Sequence, residues 1–343
     1  MMLENLEKLC DLDAVSGREE AVRDYILEQI IDLSDEVNIG ATGSVTAFKR
    51  GKNRAKHTVM LTANMDEAGL VATRITDDGL IKFDTVGKTD SRALCGKAVR
   101  IGAAQIPGVI GIVPVHLTKK EDAGKIPKQE AMTIDIGAAS KAEAMRVVRP
   151  GDFCAFETKF ERLGADHIKG KAIDSRAGCA VLMKLMNEEL EYDTFFSFAV
   201  LGKMGDAGAR CEAFSIQPDI AISIGAARAA DIPGTDKDST ACELGKGASV
   251  GFMEGRTVYD AALYEAAVSI GEVNGAGVQI RASAKGGSNA GAIQASRGGV
   301  RTIAIDVPVR YIDSPVQAAS LSDIESVLTL CRMLSARAAS GSI

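Results

Sequence analysis

From about Gly69 to about Lys159 the chain reads as short β-rich runs between turns, with little helical period, whereas everything after Gly170 alternates strand with helix. A chain that changes texture in this way cannot be one uniform layer structure, so this switch limits the possible folds more than any other feature. Turns such as Asp77-Asp78-Gly79 and Ile106-Pro107-Gly108 punctuate the β-rich stretch. In the later part, Arg176 to Leu190 reads as a helix, Phe195 to Val200 and Pro218 to Ile222 as strands, Val258 to Val273 as a helix and Val300 to Val307 as a strand. Ser322 is placed to cap a last helix through about Arg337. The opening belongs with this second texture. Ser16-Gly17-Arg18-Glu19 has capping-box spacing before an amphipathic helix through about Leu33, and the apolar run His57 to Ala63 reads as a buried strand ending in Asn64-Met65-Asp66-Glu67. Strand–helix alternation predicts an α/β sheet with helices on both faces. The expected organisation is a discontinuous α/β domain, residues 1–67 and 161–343, interrupted by a small β domain over 68–160.

Composition narrows the class. With 343 residues, 46% hydrophobic and 25% charged, the chain can bury a sizeable core. A net charge of −6, no Trp, and no basic run interleaved with aromatics argue against a nucleic-acid partner, because phosphate binding needs a basic face. The N-terminal MMLENLEKLCDLDAVSGREE carries acids where a secretory leader would be basic and then apolar. No segment approaches the roughly 18 uninterrupted apolar residues of a membrane span. Seven cysteines (Cys10, Cys95, Cys154, Cys179, Cys211, Cys242, Cys331) are dispersed without CxxC pairs, the usage of reduced thiols, so the expected address is cytoplasmic. The three histidines, His57, His116 and His167, form no HExxH pattern, which weakens any zinc-enzyme reading.

Ligands in open α/β sheets sit beyond the carboxyl ends of the strands. Four such ends carry polar or glycine residues: Asn64 to Glu67, Gly202-Lys203-Met204-Gly205, Gly225-Ala226-Ala227, and Tyr311 to Pro315. Asp174, at the entry to a helix in Ile173-Asp174-Ser175-Arg176, is a fifth polar point. Each has a plain reading beside the functional one. Asp174 reads equally as an N-cap, Asp66-Glu67 as solvated loop, Asp313-Ser314-Pro315 as a turn and Lys203 as a surface lysine. Cys179 and Cys211 lie near these points, but without a paired histidine they read as packed small residues, not nucleophiles.

The ordered motifs AVSGREEAVRDYI, ANMDEAGL, VGKTDSRALCGKAVRI, IDIGAASKAEA, GDF, KGKAIDSRAGCAVL, MGDAGAR, PDIAI, KGGSNAGAI and PVRYIDSP run from about residue 3 to 335. Together they resemble the tetrahedral, glutamyl-aminopeptidase-like family of dinuclear metallo-aminopeptidases, which includes proteins labelled cellulase M. The resemblance implies a three-layer α/β/α domain with an inserted β-barrel-like domain, and dimers gathered into a hollow twelve-subunit tetrahedron. Active members remove N-terminal residues from short peptides with two zinc or cobalt ions, a bridging carboxylate and a glutamate that moves the proton.

Carried onto this chain, those roles fall on altered residues. The first-ion histidine falls on Asn64, and the aspartate that orients it is kept as Asp66. The bridging aspartate is kept as Asp174. The glutamate pair, general base and second-ion ligand, falls on Gly202 and Lys203. The remaining ligands fall on Gly225 and Asp313, and the threonine–aspartate of a GGTD segment reads Ser288-Asn289. Glycine can neither coordinate nor accept a proton through a side chain, and an ammonium repels a divalent ion. No cofactor is therefore expected. Lys203 is expected in the space of the second ion, within hydrogen-bond reach of both Asp174 and Asp313, with Asp66 and Arg310 in the same ligand-binding or ion-pair cluster. Gly202 and Gly225 are expected to leave unfilled space.

The expected function is a pseudo-aminopeptidase: an assembly or regulatory subunit, partnered with itself and with an active paralogue, or a binder of peptides or small ligands in the old cleft. The alternative is a metal-dependent hydrolase in which Asn64, Asp66, Asp174 and Asp313 hold one weak Mg²⁺ or Ca²⁺ through oxygen.

Overall fold

A computed structural model of the protein describes residues 2–118, 124–235, 240–281 and 286–343; Lys285 of the KGGSNAGAI motif lies outside the described residues. The fold is mixed α/β, as the alternation predicts. Among the described residues one sheet has eleven strands, and its middle is four parallel strands in the order Thr194–Ala199, Val59–Asn64, Ile220–Arg228, Arg301–Arg310. These strands are rich in Val, Ile, Ala and Phe and are buried along most of their length, as strands covered on both faces must be. The helix Ile173–Met186 is almost wholly buried against them, and the helix Leu321–Ser340 packs its Ile324, Val327, Leu328 and Leu334 into the same core.

The β-rich stretch closes on itself. Gly69–Ile75, Ile81–Val86, Thr133–Asp135, Ile106–Gly111, Ala98–Ile101 and Phe153–Phe156 form a closed barrel around Leu70, Ile81, Phe83, Val99, Ile110 and Ile134. Closure removes the free edges that a small sheet would otherwise expose. Among the described residues no helix is long and apolar enough to cross a membrane.

Three local expectations are corrected. The capping box at Ser16 does not form: the helix runs Glu20–Ile30, and its cap residue Glu19 makes no side-chain cap bond. Tertiary pairing wins over the local motif there, because Ser16 N–H donates to the Glu67 carbonyl while the Glu19 carboxylate accepts from Leu201 N–H at 2.9 Å. The last helix is capped by Ser320, not Ser322, because the strand Gln317–Ser320 runs straight into it. Asp174 is no N-cap either. The helix begins earlier than read, at Ile173, behind a left-handed Ala172, which puts Asp174 in its first turn with its N–H donating to Gln317 Oε1 at 2.8 Å.

Candidate functional site

The parallel strands bring the predicted positions to one end of the sheet. Asn64 ends Val59–Asn64, Gly202 and Lys203 follow Thr194–Ala199, Gly225 lies within Ile220–Arg228, and Asp313 follows Arg301–Arg310. Asp174 joins them from the start of its helix. Backbone strain gathers at the same place. Among the described residues, five of the eight non-glycine residues with positive φ flank these positions: Ala172, Leu201, Asp206, Tyr311 and Asp313. Each such residue costs about 1–2 kcal/mol, so the surrounding fold must hold them in place.

Lys203 is the centre of the cluster. Its Nζ lies 2.7 Å from Asp174 Oδ2, with 22% of its side chain exposed against 6% for Asp174. Its backbone N–H donates to Asp66 Oδ2 at 2.7 Å. Burial works against the ammonium, but the carboxylates of Asp174 and Asp66 outweigh it and hold its pKa above the ordinary lysine value. Asp66 is fully buried, and burial raises its pKa against the pull of Lys203. Asp66 therefore serves here to fix the backbone of the loop that carries Lys203. The Glu19 carboxylate does the same for Leu201, two residues earlier.

The predicted cluster is corrected in two members. Asp313 is not hydrogen-bonded to Lys203: it pairs with Arg228 NH2 at 2.5 Å, because Arg228 ends the neighbouring strand beside the Asp313 turn. Arg310 faces Asp231, with Nε to Oδ1 at 2.6 Å and NH2 to Oδ2 at 2.7 Å. That bidentate pair occupies its guanidinium and keeps it from the cleft. Arg228 and Glu19 were missed in the sequence. Neither sits in a pattern that announces a partner so distant along the chain.

The expected vacancy is corrected at Gly202, while at Gly225 one side-chain oxygen borders otherwise open space. A Cβ on Gly202 would lie 2.3 Å from Asn64 Nδ2, so the Asn64 amide already packs against the glycine backbone. At Gly225 a Cβ would come 3.0 Å from Asp306 Oδ1. Asp306 is the register partner of Gly225 on the adjacent strand, is buried, and pairs with Arg281 NH1 at 2.7 Å. Burial pushes the Asp306 carboxyl up to about 6. An acid inside the apolar run Ile303-Ala304-Ile305-Asp306-Val307 was a readable signal, since acids are seldom fully buried without a partner. What remains beside Asp174 and Asp313 is a cavity of about 10 Å³, also lined by Thr89 and Gln317. That is room for roughly one water. Asp174 Oδ1 and Thr89 Oγ1 are buried there without a protein partner, which suits such a water.

Behind this cluster lies a second set of buried charges, in which Arg176 NH2 stands 3.8 Å from Glu67 without hydrogen-bonding it. Lys171, buried, pairs with Asp13 and with Glu67 Oε1 at 2.9 Å, and Glu67 Oε1 also accepts from Ala14 N–H at 2.7 Å. Cys179 is buried with its Sγ 3.1 Å from the Asn64 carbonyl, and burial pushes its thiol up to about 12. It is a packed residue and not a nucleophile. Cys211 is exposed on the helix Ala207–Ile216.

In the cluster Asp66 and Asp174 each give one oxygen to Lys203, by its backbone and its ammonium respectively. Among the described residues no three His, Cys, Asp or Glu side chains converge in an arrangement that could hold a metal ion.

Known proteins share this whole framework. Residues 43–330 match the M42 glutamyl aminopeptidase family. A putative aminopeptidase of Acetivibrio thermocellus is 33% identical over 331 residues, 96% of this chain and 97% of that protein. An aminopeptidase structure from the archaeon Desulfurococcus kamchatkensis superposes with a TM-score of 0.91 at 31% identity, covering 96% of this chain and 93% of that one. The TET1 peptidase of Pyrococcus horikoshii, described as assembling into a tetrahedron or a large octahedral shell, is 32% identical with a TM-score of 0.86 over 98% and 99% of the two chains. The chain belongs to the M42 glutamyl aminopeptidase family.

Proposed function

We propose that this chain is a pseudo-aminopeptidase, a family member that does not cleave peptides and acts as an assembly or regulatory subunit of a peptidase-like shell. The observation that carries the reading is the Lys203 ammonium, 2.7 Å from the one ligand-position acid kept from the family pattern, Asp174. A fixed cation neutralises that carboxylate where an ion would otherwise do so, and nothing at Gly202 can take a proton from water. The barrel over 68–160 is the assembly domain in this reading. Its exposed Val109, Ile112, Val113, Ile126, Met145 and Val147 give it apolar surface to bury. The partners are further copies of this chain and an active paralogue, in the cytoplasm.

The experiment is metal analysis of protein purified without chelator, together with release of amino acids from short peptides and native mass spectrometry of the assembly. The reading expects less than stoichiometric zinc and cobalt, no release, and a multi-subunit particle. Two tightly held ions per chain with turnover would sink it. The alternative, a hydrolase with one weakly held Mg²⁺ or Ca²⁺, has the unpartnered Asp174 Oδ1 in its favour. It requires magnesium-dependent or calcium-dependent release in the same assay.

A further inference from the structure

On the helix Ala207–Ile216, Glu212 is only 3% exposed, and among the described residues its carboxyl has no hydrogen-bond or ion-pair partner. A Cβ on Gly40 would lie 2.6 Å from Glu212 Oε1, so the carboxyl packs on the backbone of the turn 40–44. That turn joins the strands Glu36–Ile39 and Val45–Lys49. Gly208, one helical turn before Glu212 and so on the same face, seats the helix on the same turn. Its Cβ position is 2.7 Å from both Ser44 Oγ and Val200 N, an approach only glycine allows. Ser44 Oγ accepts from Val200 N–H at 3.2 Å. Val200 directly precedes Leu201, Gly202 and Lys203, so the turn supports the root of the loop that carries the Lys203 ammonium.

The elements packed around Glu212 offer its carboxyl no compensation. The turn 40–44, the strand Thr194–Ala199 and the helix Asn289–Gln294 carry no titratable side chain. Glu36 and Lys49 stand at the far end of the hairpin from the turn. Lys203, on the short segment Gly202–Met204, is committed to Asp174, and Asp206 to Arg256. Arg210 and Cys211, on the same helix, are exposed. Burial therefore acts alone, and it pushes the Glu212 carboxyl up to about 7. A carboxylate formed there has to reach water. The turn is the element easiest to displace. Its Ala41 and Thr42 are exposed, and among the described residues the strand Glu36–Ile39 pairs only with Val45–Lys49, at the edge of the sheet.

We propose that Glu212 is a proton-controlled latch between the helix Ala207–Ile216 and the turn 40–44. Protonated, Glu212 lets the turn close on the helix. On losing its proton it swings the turn out to water, which frees Val200 from Ser44 and loosens the loop that holds Lys203 against Asp174. The latch is closed below neutral pH and opens above it. It goes beyond the reading of the cleft and stands whether or not the chain cleaves peptides.

Hydrogen–deuterium exchange of the full chain, read by mass spectrometry and corrected for the intrinsic pH dependence of exchange, tests the latch. The segments 40–44 and 198–203 exchange about tenfold faster at about pH 8 than at about pH 6, the gain expected when the open form has an ordinary carboxyl and the closed form titrates near neutrality. Both segments stay protected at the two pH values in Glu212→Gln, which keeps the shape and cannot ionise. The barrel strand Ile106–Gly111 shows no such gain, which separates opening of the latch from global unfolding. An unchanged turn across this range, the same gain in Glu212→Gln, an equal gain in the barrel strand, or a turn that opens while 198–203 stays protected would each overturn it.

Discussion

Lys203 and Asp174 meet across 2.7 Å although 29 residues separate them in the chain, and they do so at the end of the sheet where the candidate site residues converge. The pair is partly buried and its second carboxylate oxygen has no protein partner. Removing Lys203 therefore strands Asp174, whereas Lys203 without Asp174 still faces the charges of Asp66 and Asp313.

Lys203→Met leaves Asp174 with both oxygens unpaired and should destabilise the fold by about 2 kcal/mol, somewhat below a fully buried pair because Lys203 keeps some solvent contact. Adding Asp174→Asn should recover most of that loss, since the uncompensated charge is then gone. Urea unfolding of the two singles and the double measures this coupling. Additive losses would mean that the two side chains do not act as a pair.

Gly202→Ala should cost about 1–3 kcal/mol, because its Cβ would meet Asn64 Nδ2 at 2.3 Å in a packed region. Asn64→Ala in the same chain should relieve most of it. If Gly202→Ala alone melts with the parent protein, the Asn64 amide does not fill that space.

The joint replacement Asn64→His, Gly202→Glu, Lys203→Glu, Gly225→Asp and Asp313→His should restore zinc binding, read by metal analysis, while each single replacement should not, because the ligands act as a unit. Asp306 sets a condition on this set. A carboxylate at 225 would sit beside the Asp306 carboxyl, whose oxygen is 3.0 Å from the Cβ position, so like charges oppose each other until a metal neutralises them. The apo form of the variant should accordingly be less stable than the parent and should regain stability with zinc. Stable apo protein that ignores zinc would contradict this.

Glu212, buried on the helix Ala207–Ile216, has its carboxyl pushed up to about 7 by burial from an ordinary 4.5. The native state thus holds a proton that the unfolded chain has released. The resulting stabilisation is complete below the unfolded pKa and is lost as pH rises through the native value. Between about pH 5 and about pH 8 the parent should lose on the order of 2 kcal/mol relative to Glu212→Gln. Asp306, raised to about 6, drifts in the same direction in both proteins, so the difference isolates Glu212. Parallel urea midpoints across that range would show that Glu212 is not held protonated.

Family membership and the chemistry open to each position could be read from the residues alone. The change from β-rich turns to strand–helix alternation predicts a small β domain interrupting an α/β sheet, and the motif order, through its family resemblance, implies the barrel and the family framework, which the closed barrel and the match over residues 43–330 bear out. The residue types at 64, 202, 203 and 225 also limited what any geometry could do, because side-chain chemistry is fixed before folding. What the sequence could not contain was the choice of partner. Local motifs misled wherever a contact distant in sequence competed: Ser16 gives up its capping box to pairing with Glu67, Asp313 leaves Lys203 for Arg228, and Arg310 turns to Asp231. The space beside Gly202 was likewise decided by a neighbour from another strand, Asn64. Coulomb attraction and close packing depend on distances of a few ångströms between residues far apart along the chain, and only the folded sheet sets those distances.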